Sequence, residues 1–599
     1  MRTSILLAGA LLLSPALLPA QTPRPAPTEA GARAFIARAE STLNELSVRA
    51  SRADWVANTY ITFDTEELTA QAAEALGVAT QRLATEARAF ERLRLPDDLR
   101  RKFVLLRLLL AAPPPADPRE AAELSRLTSS MQADYGKGTY CREQVCLQLP
   151  DLEDTLVKST DPARLLDAWQ GWHRVGAPMR ERYARFVTLA NAGARGMGFP
   201  DAGAMWRSAY DMPPDAFGHE VDRLWEQLKP LYLQLHAFVR ARLVAQYGPS
   251  VVRPDGLIPA HLLGNMWAQE WGNIYDRVAP PGVPPSTDVT ALLAARHVDP
   301  LGMVHTGERF YTSLGFSTLP PTFWERSMFT KPRDRDVVCH ASAWDIDNRE
   351  DLRIKMCIRP TGEDFVTIHH ELGHSFYQRA YAGQPFLFQN GANDGFHEAV
   401  GDAIALSITP EYLRQVGLLD TLPSPASDTA ALLRVALDKI AFLPFAIALD
   451  RWRWGVFSGE ITPDRYNAAW WDLKHRYQGL AEPLPRSEQD FDPGAKYHVA
   501  ANVPYIRYFI ARILQFQFQR SWCRAAQWHG PLYRCSIYGN AAAGEQVSRM
   551  LSAGASQPWP EILFAATGER EMDATAMVEY FQPLLAWLER QNRGKPVGW

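Results

Sequence analysis

From about residue 30 to residue 250 apolar side chains return every three or four positions, as in EAGARAFIARAESTLNELSVRASRADWVANTY and LDAWQGWHRVGAPMRERYARFVTLANAGARGMG, with few turn residues between them. That period predicts long amphipathic helices packed by their apolar stripes. Proline-rich breaks at 113–118 and 279–286 are short, so they read as loops between helices and not as linkers between independent domains. No fixed-period repeat interrupts the pattern. The exception lies between about 335 and 360, where RDVVCHASAWDI and LRIKMCIRP have β character and flank the polar turn DNRED. A small hairpin is expected there, with helix resuming from about 365 to the end. The predicted architecture is mostly α: one large domain over 21–599, in two lobes, with one small antiparallel sheet.

Composition narrows the class. With 47% hydrophobic residues, 599 residues are ample for a sizeable core. Lys and Arg number 63 against 67 Asp and Glu, a net charge of -4, and so no basic excess points to nucleic acid or anionic lipid as partner. The opening MRTSILLAGALLLSPALLPAQ has the layout of a secretory leader over 1–20, and no later apolar run approaches the ~20 residues of a membrane span. An exported chain without a membrane anchor is expected, periplasmic or secreted. The leader and the Ala- and Arg-rich composition suggest a bacterial source. Export makes disulfides available to the six cysteines, Cys141, Cys146, Cys339, Cys357, Cys523 and Cys535. Fifteen connectivities are open; pairing of sequence neighbours is favoured because short closures cost least entropy.

The chemistry concentrates in TIHHELGHSFYQ, residues 367–378. His370-Glu371-Leu372-Gly373-His374 is an HExxH pattern, and two helical residues four apart project from one face, so His370 and His374 can bind one zinc ion. Glu371 lies near that face but displaced, which suits a base for the attacking water and not a third ligand. His369 has Gly373 as its i+4 partner and is expected to be a packed histidine. NDGFHEAVGD, residues 393–402, offers Glu398 as third ligand and, one turn on, Asp402, which can fix the tautomer of a ligating histidine. Two imidazoles and one carboxylate make an open, catalytic site; a closed structural site takes four protein ligands.

These residues resemble the peptidyl-dipeptidase A family, that of angiotensin-converting enzyme. The resemblance covers nearly the whole mature chain through PLYLQLHAFVR, HLLGNMWAQEW, VVCHASAWD, HHELGH, HEAVGD and DPGAKYHVAANVPYIRYFIARILQFQFQ. The step from His374 to Glu398 also fits, as do the three neighbouring cysteine pairs, used as disulfides in the family. The resemblance implies release of C-terminal dipeptides from peptides inside a deep cleft between helical lobes. It places the substrate's free carboxylate on Gln269, Lys496 and Tyr505, its backbone along His340 and Ala341 on the hairpin strand, and the developing oxyanion on His498 and Tyr508. A relative that removes single residues has arginine where this chain has Gln269, so the glutamine favours dipeptides.

The family often binds chloride, and here the chain departs from the animal pattern. Trp206, Tyr210 and Arg507 retain one site, where one chloride is expected. At the other, Trp470 is kept while His173 and Lys474 replace two arginines, and a lysine lacks the planar guanidinium fork. Two other functions fit parts of the pattern. A broader zinc oligopeptidase or endopeptidase would ignore the peptide's terminal carboxylate, and a non-catalytic binding protein would have lost a ligand or the base, all of which are present.

Overall fold

The computed structural model describes residues 27–142, 145–253 and 256–599. The leader expected at 1–20 lies outside the described residues. The chain is 65% helical, in line with the apolar spacing. Among the described residues no helix is long and apolar enough to cross a membrane.

The elements that position the site are numbered here along the chain. Helix α1, Glu29–Thr59, starts where Thr28 Oγ1 accepts the Gly31 N–H, and α2, Phe63–Ala87, starts in a reciprocal Thr62/Thr65 capping box. With α3, Asp97–Arg107, these two bury Phe35, Leu83 and Phe103 in a small core of their own that includes Leu387. Almost everything else belongs to one continuous core running from Leu124 to Leu588. At its centre is α6, Asp428–Ser458, apolar around nearly its whole circumference and buried accordingly. Before it come the strands β1, Ser342–Asp345, and β2, Leu352–Lys355, then α4, Gly362–Tyr381, and α5, Asp394–Ala405; after it comes α7, Ile506–Ala525. Helix α5 packs on both α4 and α7.

The hairpin forms, with Ser342 opposite Lys355, but its strands are shorter than the β-like runs. Asp347 Oδ1 accepts backbone N–H groups from Arg349, Glu350 and Asp351, which closes the DNRED turn. His340 and Ala341, expected on the strand, lie just before it. The single expected sheet also needs correcting. Tyr140–Arg142 pairs with Val145–Leu147, and Ile258–Pro259 runs parallel to Leu480–Ala481. Segments of two or three residues are too short for alternation to register in a sequence. The cysteines join as neighbours: Cys141–Cys146, Cys339–Cys357 and Cys523–Cys535.

Candidate active site

Two helices carry the metal-ligating pattern, and both begin on side-chain caps. Thr361 Oγ1 accepts the Asp364 N–H at the start of α4, and Asn393 Oδ1 accepts the Gly395 N–H at the start of α5. The helices cross where neither has a side chain. A Cβ on Gly373 would stand 2.7 Å from Gly401 Cα, and one on Gly401 would stand 2.7 Å from the His370 carbonyl oxygen. Glycine at both positions lets the backbones approach closely enough for α5 to present Glu398 to the two histidines.

The result is three donor groups turned on one point. His370 Nε2 lies 3.1 Å from His374 Nε2 and 3.5 Å from Glu398 Oε2, and all three ligand atoms fall within 4.8 Å of one another. Two imidazole nitrogens and a carboxylate oxygen held this close need a proton or a metal cation between them. Zinc bonds of ~2.0–2.1 Å in tetrahedral geometry put neighbouring ligand atoms about 3.3 Å apart, so the residues fit that ion. Other groups fix the tautomers. His370 Nδ1–H donates to Asp402 Oδ1 at 3.1 Å. His374 Nδ1 faces His397 Nδ1 at 3.2 Å, and His397 Nε2 faces the Tyr381 hydroxyl at 3.1 Å. Protons on His374 Nδ1 and His397 Nε2 satisfy both contacts and leave the His374 Nε2 lone pair free. Burial would raise the Asp402 carboxyl, yet Lys439 at 3.1 Å and the bond from His370 hold it well below the usual carboxylate range. For His370 burial opposes charge, but Asp402 and Glu398 outweigh it and push the imidazole up to about 10. The pocket favours positive charge at the His370 nitrogen.

Glu371 is 8% exposed and its carboxyl is raised, first by burial and then by the Glu398 carboxylate, against the nearby positive charge of His370 and, less, of His340 and Lys355. Lys355 is itself tied to the Val338 and His340 carbonyls. His369 is fully buried, donating to the Phe365 carbonyl and meeting the Tyr412 hydroxyl, as a packed histidine should.

The predicted carboxylate-binding and oxyanion residues share one cavity, whose lining does not include the predicted backbone-binding His340 and Ala341. Gln269, Lys496, His498, Tyr505 and Tyr508 line one cavity of about 270 Å³ together with Glu398 and Asp402. Lys496 Nζ donates to Gln269 Oε1 at 2.5 Å, and the Tyr505 hydroxyl reaches the same oxygen at 3.4 Å. Burial brings the Lys496 ammonium down to about 7, against the pull of Glu270 and Glu153. His498 is pushed down to about 2 by burial and by Lys496, Arg453 and Arg507, which makes it a neutral imidazole, and its Nδ1 has no partner. Its loop is held by a fully buried ion pair on α6. Arg453 pairs with Asp450 and donates to the His498 and Val503 carbonyls, while Asp450 Oδ2 accepts the Tyr505 and Ile506 N–H groups. Nothing in the sequence singled out this pair, nor His397, Lys439 or Glu270.

The anion residues also cluster. Trp206, Tyr210 and Arg507 border a second cavity of about 190 Å³ with Asp394 and Asp450. Arg507 pairs with Asp394 at 3.0 Å, the Tyr210 hydroxyl lacks a partner, and Trp206 Nε1 is used by the Ala111 carbonyl. At the other expected position Lys474 donates to the Trp267 carbonyl and lies over the Trp470 ring, and burial lowers its ammonium to about 7. His173 is stacked on Trp169 and kept neutral by burial.

An HExxH helix, a glutamate from the next helix and a lined cleft among helices form a site with the ligand set of an open zinc centre. The chain belongs to the angiotensin-converting enzyme family, whose profile matches residues 26–599. It is 43% identical over 606 residues to angiotensin-converting enzyme of Bos taurus and 43% identical over 611 residues to that of Mus musculus, in each case covering 98% of this chain and 46% of the relative. The chain thus spans about half the length of those mammalian proteins. It is 40% identical over 576 residues to angiotensin-converting enzyme of Theromyzon tessulatum, covering 94% of this chain and 93% of the relative.

Proposed function

We propose that this protein is a zinc-dependent dipeptidyl carboxypeptidase that removes two residues at a time from the free C-terminus of peptides. The observation that carries this reading is the single cavity shared by Glu398 and by the Lys496, Gln269 and Tyr505 set. His370, His374 and Glu398 would hold the ion, which supplies Lewis acidity to the scissile carbonyl and acidifies water. Glu371 takes the proton from the attacking water and carries it toward the departing amine. His498 and Tyr508 donate to the oxygen on which negative charge develops, and neutral His498 does so without competing for a proton. Lys496, Tyr505 and Gln269 grip the terminal carboxylate and so set how much chain fits between it and the metal. His340 and Ala341 lie beside the hairpin edge, where substrate backbone would pair. One chloride is assigned to Arg507, where it would compete with Asp394 for the guanidinium. Burial and self-solvation of Lys474 and His173 argue against a second. The working location is outside the cytoplasm, periplasmic or secreted.

The test compares one peptide as free acid and as C-terminal amide. A dipeptidyl carboxypeptidase loses at least roughly 100-fold in kcat/KM on the amide, because the buried cationic cradle is left unpaired. Equal rates on both would assign the chain to the endopeptidases.

A further inference from the structure

Charge is distributed unevenly in the cavity beside the metal centre. Its lining includes three carboxylates, Glu270, Glu398 and Asp402, and three cations, Lys439, Lys496 and Arg512. Most of these charges are already committed. Glu398 faces the metal point, and Asp402 is held by His370 and Lys439. Arg512 pairs with Asp438 at 3.1 Å and lies over the Phe442 ring. Lys496 is the ammonium that the proposed substrate carboxylate would take. The remaining charge is Glu270, next in sequence to Gln269, partly buried and, among the described residues, without a hydrogen bond or ion pair of its own; burial and then Asp438 raise its carboxyl, against the pull of Arg512, Lys496 and Lys439. A second acid, Glu153, lies close enough to act on both Lys496 and Glu270. Once a terminal carboxylate occupies Lys496, Glu270 keeps only the charges of Arg512 and Lys439, which are already engaged by Asp438 and Asp402, and the substrate's last side chain would adjoin it.

We infer that Glu270 is a specificity-determining residue that selects peptides ending in a basic residue, arginine or lysine, by pairing with that side chain while Lys496 holds the adjoining carboxylate. The inference rests on the dipeptidyl carboxypeptidase reading and deepens it. A guanidinium or ammonium brought into this half-buried pocket loses water, and only a fixed carboxylate offsets that loss. Acidic C-terminal residues meet the opposite effect, since Glu270 and Glu153 repel them. A neutral terminal residue neither gains nor removes a charge and leaves Glu270 unpaired.

The test uses free-acid peptides of one length that differ only at the C-terminal residue, arginine, glutamine or glutamate, and reads the ratio of kcat/KM between them. The expected ratio of arginine to glutamine is roughly tenfold or more in the native enzyme, expressed mainly in KM. In Glu270→Gln it collapses toward one, and in Glu270→Lys the order of arginine and glutamate inverts. A merely structural role would lower all three peptides together and leave the ratios unmoved, which would overturn the inference, as would a native enzyme indifferent to the last side chain. Failure of the underlying reading looks different: the products would not be C-terminal dipeptides, whatever the ratios.

Discussion

On the proposed mechanism, Glu371 is the residue on which turnover depends most sharply. Replacing it by glutamine keeps its size but removes the proton acceptor, and kcat should fall ~100- to 10 000-fold while bound zinc, read by atomic absorption, stays stoichiometric. Loss of zinc together with activity would instead make Glu371 part of the ligand set. Lys496 sets the pH behaviour. Burial pushes its ammonium down to about 7, so below that pH the proposed cradle would be charged and above it the charge would be lost. The kcat/KM for free-acid peptides should therefore decline as pH rises through about 7, with the decline carried by KM. A flat alkaline limb would remove Lys496 from carboxylate recognition. Residues whose role is fixed by spacing on one helix, such as His370 and His374, could be read directly from the sequence. Those whose role arises by juxtaposition could not: Lys439 meets Asp402 across 37 positions, and His397 looks like a mere neighbour of Glu398 until it meets His374.

Two features of the helices decide whether these residues meet. The glycines of the α4–α5 crossing set the distance between the two ligand-bearing backbones, and the Asp450–Arg453 pair anchors the loop of His498 and Tyr505 to α6. Adding a methyl in Gly401→Ala puts a carbon against the His370 carbonyl and ring, which forces the helices apart at a cost of about 1–3 kcal/mol. Zinc affinity should fall and the thermal midpoint drop, measured by chelator competition and calorimetry. Unchanged affinity would show that the crossing is not what aligns the ligands. Helical segments were evident from their period because burial of one face imposes it. The strands of the two extra ladders were not, because hydrogen bonding over two or three residues leaves no alternation behind. The hairpin was visible, but its ends were placed too far out: the β-like run before Ser342 is spent on a loop whose His340 carbonyl accepts from Lys355 Nζ.

At the scale of the molecule, one continuous core contributes Phe442, Tyr505 and Ala511 to the cavity that Glu398 shares with Gln269 and Lys496. The family resemblance over 26–599 made the global architecture readable, whereas helical period alone predicts helices without saying how they enclose a space. The account's central claim is that reach from the cradle to the metal point determines where a peptide is cut. Mass spectrometry of a timed digest of one defined free-acid peptide of about ten residues tests it most directly. The account predicts a ladder of products shortened from the C-terminus in steps of two residues, with the matching dipeptides released and the amino end intact. Products shortened by one residue, cut internally, or trimmed from the amino end would contradict it.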